Sequence, residues 1–137
     1  MAHPRRIFFP TITLALGLLA THSFAEVRWH RDTDAALRKA SQTQKPILVF
    51  VTAKWCHFCD RMKNEVWADP QICEVMRDDF EVLQLDGDND RATVSRLPIE
   101  GYPTTFVFDS RGQLITKHAG FLPADRMETF LRLAQRQ

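Results

Sequence analysis

Residues 47–59 read Ile47-Leu48-Val49-Phe50-Val51-Thr52-Ala53-Lys54-Trp55-Cys56-His57-Phe58-Cys59, and this stretch decides the fold. Its first five residues are apolar and mostly β-branched or aromatic, too short for a core helix. They predict a strand buried on both faces of a sheet. Pro46 stands immediately before, blocking any helix from running into it. After the Thr52–Trp55 junction, a helix is expected from about Cys56 to Trp67, with Phe58, Met62 and Val66 on one apolar face. A Cys-x-x-Cys pair that leaves a buried strand and opens a helix is a specific signal for redox chemistry. The attacking species is a thiolate. At a helix N-terminus the unpaired amides and the helix dipole favour that negative charge, which makes Cys56 the candidate nucleophile. Cys59 lies nearly one turn later, behind Cys56, placed to attack a mixed disulfide and release the substrate.

Other uses of the pair are weaker. Zinc ordinarily needs four ligands, and no second Cys-x-x-Cys or Cys/His pair is present, so no metal and no cofactor is expected. A c-type haem site requires His directly after the second Cys, where Asp60 stands. A purely structural disulfide over so short a loop stabilises little.

Outward from this centre, Asp32 or Thr33 caps a helix through Ala35, Ala36, Leu37 and Ala40, which ends over Gln42–Lys45. Asp69-Pro70 is a cap followed by a proline in the first turn, opening a helix to about Arg77. Phe80–Asp86 is a second strand, followed by the polar Asp86–Asp90 loop and a short helical stretch to Arg96. Thr104–Phe108 and Leu114–His118 form a hairpin around the Asp109-Ser110-Arg111-Gly112 turn. Pro123 starts a last helix, with Met127, Phe130, Leu131 and Ala134 facing inward. The fold class is therefore α/β: a mixed central sheet of about four strands flanked by helices.

The 137 residues suit one domain. With 45% hydrophobic and 26% charged residues, the composition is that of a globular protein, not a disordered one. The net charge of +1 gives no reason to expect a nucleic-acid partner. Three cysteines are too few for a disulfide-scaffold protein.

Residues 1–25 carry Arg5 and Arg6, no acidic residue, a mostly apolar run from Ile7 to Ala20, and Ser23-Phe24-Ala25. This is the pattern of a secretory signal peptide cleaved after Ala25, leaving residues 26–137 as the working domain. Arg5-Arg6-Ile7-Phe8 loosely resembles a twin-arginine export motif, although paired arginines are also ordinary signal-peptide charge. Either route leads out of the cytoplasm, to a bacterial periplasm. There the remaining 16 basic and 17 acidic residues nearly balance and disulfides persist.

The chain resembles the thioredoxin superfamily over nearly the whole of residues 26–137. The likeness is carried by Pro46–Val51 as strand, Trp55–Cys59 as active site, Gly101-Tyr102-Pro103-Thr104 as the proline loop and Asp109–Gly112 as the hairpin turn. More narrowly it is similar to the exported thiol–disulfide interchange branch, through Trp29, Lys45-Pro46, Trp55-Cys56-x-x-Cys59, Met62, Val66-Trp67 and Asp69-Pro70. This resemblance implies a thiol–disulfide oxidoreductase with Cys56 and Cys59 as its catalytic pair. Pro103 would be cis and lie beside Cys56, and Tyr102 would offer backbone hydrogen bonds to an extended substrate. Trp55, His57, Phe58, Tyr102 and Pro103 are the candidate substrate-binding residues. The implied partners are cysteine-containing periplasmic proteins and a membrane-linked redox donor or acceptor. The branch is mostly reducing, and no dimerisation segment of the isomerase type is present, so a monomer with a reductase or interchange role is expected. A non-catalytic binding module with an idle cysteine pair is the alternative.

Two positions depart from thioredoxins. Phe50 stands where they carry a buried Asp that helps deprotonate the resolving thiol, leaving Glu65, Asp60 or a water as substitutes. His57-Phe58 replaces Gly-Pro. A protonated His57 beside Cys56 would stabilise the thiolate and make the disulfide more oxidising, whereas a solvated His57 would not reach the sulfur. Phe58 is either substrate-facing apolar surface, as aromatics here are in disulfide isomerases, or ordinary packing.

Elsewhere, Cys73 reads as a small buried hydrophobe. Asp86-x-Asp88-x-Asp90 imitates a calcium loop but has Arg91 for the required Gly and Leu97 for the bidentate Glu, and so reads as a solvated loop. His30 and His118 read as surface or strand-end residues, and Trp29 and Trp67 as core.

Overall fold

The computed structural model describes residues 27–136; the expected signal peptide and its cleavage point lie outside the described residues. Helix α1 spans Thr33–Thr43 and strand β1 Ile47–Thr52. Helix α2, His57–Arg61, runs directly into a π-helical turn over Met62–Val66. Then follow α3 (Pro70–Asp79), β2 (Glu81–Asp86), α4 (Arg91–Val94), β3 (Thr104–Phe108), β4 (Leu114–Ala119) and α5 (Ala124–Ala134). The sheet order is β2-β1-β3-β4, with β1 parallel to β2 and antiparallel to β3. This is the expected mixed four-stranded sheet between helices.

Every residue of β1 is buried, as its unbroken apolar run predicted. Its side chains alternate between two cores. Leu48 and Phe50 point into a cluster with Cys59, Met62, Val66, Ile72, Met76, Met127 and Leu131, from α2, the π turn, α3 and α5. Ile47, Val49 and Val51 point the other way, into a cluster with Ala36 and Ala40 of α1, Val94 of α4, Leu83, Leu85 and Phe106. Local chemistry fixes the helix starts. The Asp32 carboxylate accepts the Ala35 amide, and Asp69 accepts those of Gln71 and Ile72.

Four sequence expectations change. The single helix over Cys56–Trp67 is an α-helix that widens, with the Trp67 amide donating to the Met62 carbonyl at 2.9 Å. In a π turn residues five apart share a face, so Met62, Val66 and Trp67 all reach the core. Phe58 does not join them: it is 51% exposed, because Cys59 takes the inward position of that turn. Cys73 is only half-buried: it packs against the edge of the core, and its thiol donates to the Trp67 carbonyl at 3.2 Å. His30 is not a lone surface residue. Its backbone pairs with β2 at Leu83, and its ring meets Glu81 at 3.1 Å.

Candidate active site

The parallel β1 strand delivers Thr52, Ala53 and then Cys56 to the end of the sheet where β3 begins at Thr104. Cys56 has extended backbone and serves as the cap of α2; its sulfur accepts the Cys59 amide at 3.1 Å. A negative charge on this sulfur would be held by the same amide and by the positive end of the helix. Cys56 and Cys59 form a disulfide with Cα atoms 5.2 Å apart. The two sulfurs are not equivalent in setting: Cys56 keeps 6% of its surface exposed and Cys59 none.

Around the pair stands an aromatic rim. Trp55 is 70% exposed, and its ring meets Tyr102 edge-on at 5.5 Å. Tyr102 is braced from behind by Gly87. A Cβ at Gly87 would fall 2.7 Å from the ring's Cζ, so only glycine fits beneath the Tyr102 ring without moving it. The Tyr102–Pro103 peptide is cis, and Pro103 is buried. Phe58 leans against Phe121, 6.4 Å between centroids, and the Arg61 guanidinium lies 4.3 Å over the Phe121 ring. The Leu122 amide donates to the Met62 sulfur at 3.5 Å, tying the Phe121 loop to the start of the π turn.

The structure therefore brings Trp55, Cys56, Phe58, Cys59, Tyr102 and Pro103 to one end of the sheet. His57 is exposed at the start of α2 with its ring edge-on to Phe58, and no hydrogen bond joins it to either sulfur among the described residues. Sequence reading missed Phe121, Arg61 and Gly87. Phe121 carried a weak signal as an aromatic just before the Pro123 helix start. The other two depend on tertiary contacts.

Beneath the disulfide, Phe50 is fully buried. It packs edge-on against Trp67 at 5.5 Å and tilted against Trp29 at 6.1 Å, so no carboxylate occupies its place. Two carboxylates suggested as substitutes are engaged elsewhere. Glu65 takes a two-pronged hydrogen bond from Arg61, which, ahead of the opposing cost of burial, holds its carboxyl below the usual carboxylate range. Asp60 is exposed and pairs with Lys63 at 3.4 Å. Burial, with Asp69 nearby, pushes the Cys73 thiol up, away from thiolate chemistry. Among the described residues no cluster of His, Cys, Asp or Glu could hold a metal ion. No helix among them is long and apolar enough to cross a membrane.

Comparison with known proteins places this geometry. The thioredoxin-like domain family matches residues 33–135. The thiol:disulfide interchange protein DsbD of Ralstonia nicotianae is 32% identical over 118 residues, covering 82% of this chain but 19% of that protein. The chain thus spans about a fifth of the length of that relative. A thioredoxin-like protein of Synechocystis is 31% identical over 101 residues, covering 73% of this chain and 89% of that protein. Among solved structures, a DsbH oxidoreductase superposes with a TM-score of 0.73 at 16% identity over 91% of this chain and 95% of that one, a likeness of fold alone. The chain belongs to the thioredoxin-like family of thiol–disulfide oxidoreductases.

Proposed function

We propose that this protein is an exported thiol–disulfide oxidoreductase in which Cys56 attacks and Cys59 resolves. The observation that supports the reading best is the asymmetry of the pair. Cys56 caps the helix and keeps 6% of its surface open, and an amide and the helix end favour its thiolate, while Cys59 is fully buried behind it. An incoming protein disulfide is attacked by the Cys56 thiolate, and one substrate sulfur leaves as thiolate. Cys59 then attacks the Cys56 sulfur, and the second substrate sulfur leaves. The substrate is reduced by two electrons and the Cys56–Cys59 pair is oxidised; the reverse sequence oxidises a dithiol. Trp55, His57, Phe58, Tyr102 and Pro103 form the surface on which an extended substrate lies. This reading takes residues 1–25 as a signal peptide removed after Ala25, residues 26–137 as the thioredoxin-like domain, and the periplasm as the place of action. The relatives named as interchange proteins support cysteine-containing periplasmic proteins as substrates, a membrane-linked redox partner, and a reductase or interchange direction. The domain acts as a monomer.

The experiment is a trap. A Cys59→Ser variant expressed as the full chain in a Gram-negative bacterium should accumulate mixed disulfides through Cys56, visible on non-reducing gels and abolished by Cys56→Ala. Absence of any covalent adduct would favour the alternative, a binding module whose cysteine pair is idle.

A further inference from the structure

The Asp86–Asp90 loop between β2 and α4 supplies nothing to the exchange chemistry, yet it is closely built. The Asp86 carboxylate accepts the amides of Asp88 at 2.8 Å and Asn89 at 3.2 Å. The Asp90 carboxylate accepts the Asp86 amide at 2.7 Å, and the Asp90 amide returns to the Asp86 carbonyl at 2.7 Å. Carboxylates bonded to neighbouring amides in this way fix a turn from within. One bond also ties the loop to the sheet. The Gly87 amide donates to the Thr52 carbonyl at 2.8 Å. Thr52 is the last residue of β1, the strand that delivers Cys56.

What the loop presents at that point is the absence of a side chain. Gly112 and Gly120 have positive φ, 84° and 94°, and a Cβ at Gly101 would meet nothing within 4 Å. Gly87 has no positive φ, so its backbone conformation does not call for glycine. Space does. A Cβ at Gly87 would fall 2.7 Å from Cζ and 2.9 Å from Cε1 of Tyr102, with the Tyr102 hydroxyl oxygen also in its way. These three atoms are at the outer end of the Tyr102 side chain. A methyl group at position 87 is therefore accommodated by moving that ring, not by moving backbone.

Tyr102 in turn orients Trp55. Trp55 is 70% exposed, and Tyr102 is the ring it meets among the described residues, edge-on at 5.5 Å with 86° between the planes. Edge-to-face pairs have a preferred geometry, so displacing one ring releases the other. An indole so exposed has little else to hold its rotamer.

We propose that Gly87 is a positioning residue for substrate recognition: the self-locked Asp86–Asp90 loop seats the Tyr102 ring against a bare glycine, and Tyr102 sets the angle of Trp55 beside Cys56. This rests on the reading of Trp55 and Tyr102 as substrate-binding surface. The seat selects by substrate size. A protein disulfide, whose chain runs on from the sulfur, lies across Trp55 and Tyr102. A small disulfide reaches Cys56 without them. Gly87 thus governs exchange with protein disulfides and leaves the chemistry at sulfur untouched, because it acts through the two rings.

The test reads ring position and rate together. Protein expressed from the full chain is purified, reduced and mixed in separate runs with insulin and with 2-hydroxyethyl disulfide. Gly87→Ala should lower the second-order rate constant with insulin by about tenfold or more. The constant with 2-hydroxyethyl disulfide should stay within about twofold of the parent. The Trp55 indole N–H resonance, assigned by its loss in Trp55→Phe, should shift in Gly87→Ala. Those of Trp29 and Trp67, which pack on Phe50, should not. Tyr102→Leu removes the atoms that a methyl group would strike and keeps an apolar side chain. In that background Gly87→Ala should change neither the insulin rate nor the Trp55 resonance further. An insulin rate within twofold of the parent, or an unmoved Trp55 resonance, in Gly87→Ala would overturn the proposal. So would an equal loss with both disulfides, the same loss in the Tyr102→Leu background, or a parent that takes the small disulfide but not insulin. A Gly87→Ala protein that failed to fold would show that the ring cannot yield, and would overturn it too. A parent that exchanges with neither disulfide would instead overturn the oxidoreductase reading.

Discussion

The two faces of the sheet are built to different rules. The face under α1 and α4 is almost wholly apolar. Ile47, Val49, Val51, Leu83, Leu85 and Phe106 meet two alanines of α1, and an apolar cleft of about 160 Å³ remains open beside Leu37 and Phe108. The face under α2, the π turn, α3 and α5 buries more, yet it also holds three unpartnered polar atoms and the disulfide. One face follows the ordinary logic of area removed from water. The other departs from it at the sheet end from which the cysteines emerge. Buried polar groups without partners are costly, and the three found among the described residues all lie on the face that carries the disulfide.

The largest test of that division is Phe106→Ala. Phe106 is fully buried on the apolar face, and its truncation should cost about 3–5 kcal/mol in urea unfolding. Disulfide exchange per folded molecule should be unchanged. A loss of exchange rate in protein that remains folded would show that the two faces are not separable.

A smaller effect belongs to the helix that buttresses the site face. Asp69→Ala removes the acceptor for the Gln71 and Ile72 amides and should lower stability by about 1 kcal/mol. Because α3 packs on α5 but supplies no site residue, the pH profile of the exchange reaction should not move. A shifted profile would mean that α3 tunes the cysteines.

The smallest effect is electrostatic and lies outside both cores. Hydrogen bonds from Arg61 to Glu65, from Lys117 to Glu100, and from the Gln113 amide to Asp109 hold these carboxyls below their ordinary range. Their folded values lie under the unfolded ones. The stability they contribute is therefore present above the unfolded carboxylate pKa of about 4 and lost as pH falls through the folded values. All three are solvent-exposed, so the urea midpoint should stay flat from pH 5 to 8 on their account and decline only gently below. A midpoint that rises on acidification would contradict this assignment.

How much was legible in the sequence follows the same division. The β1 run, Pro46, the Asp69-Pro70 cap and the Asp109–Gly112 turn are local signals, and each produced the expected element. The Cys56–Cys59 spacing was enough to find the disulfide pair. What stayed hidden depends on register or on contact between distant segments. The period of Phe58, Met62 and Val66 looked like one helix face, but Cys59 takes the inward position and leaves Phe58 exposed, and the helix widens over Met62–Val66. His30 gave no strand signal because a single bridge has no period. Gly87 beneath Tyr102 joins two loops.

The central claim is that Cys56–Cys59 is a working redox couple and not a staple. Its most direct test is the equilibrium reduction potential of the pair, measured on residues 26–137 in dithiothreitol and glutathione buffers. The account predicts a reversible two-electron titration toward the reducing end of the catalytic range, nearer the thioredoxin value of about −270 mV than about −120 mV. A pair that stays oxidised below about −300 mV would be a structural disulfide and would contradict the account.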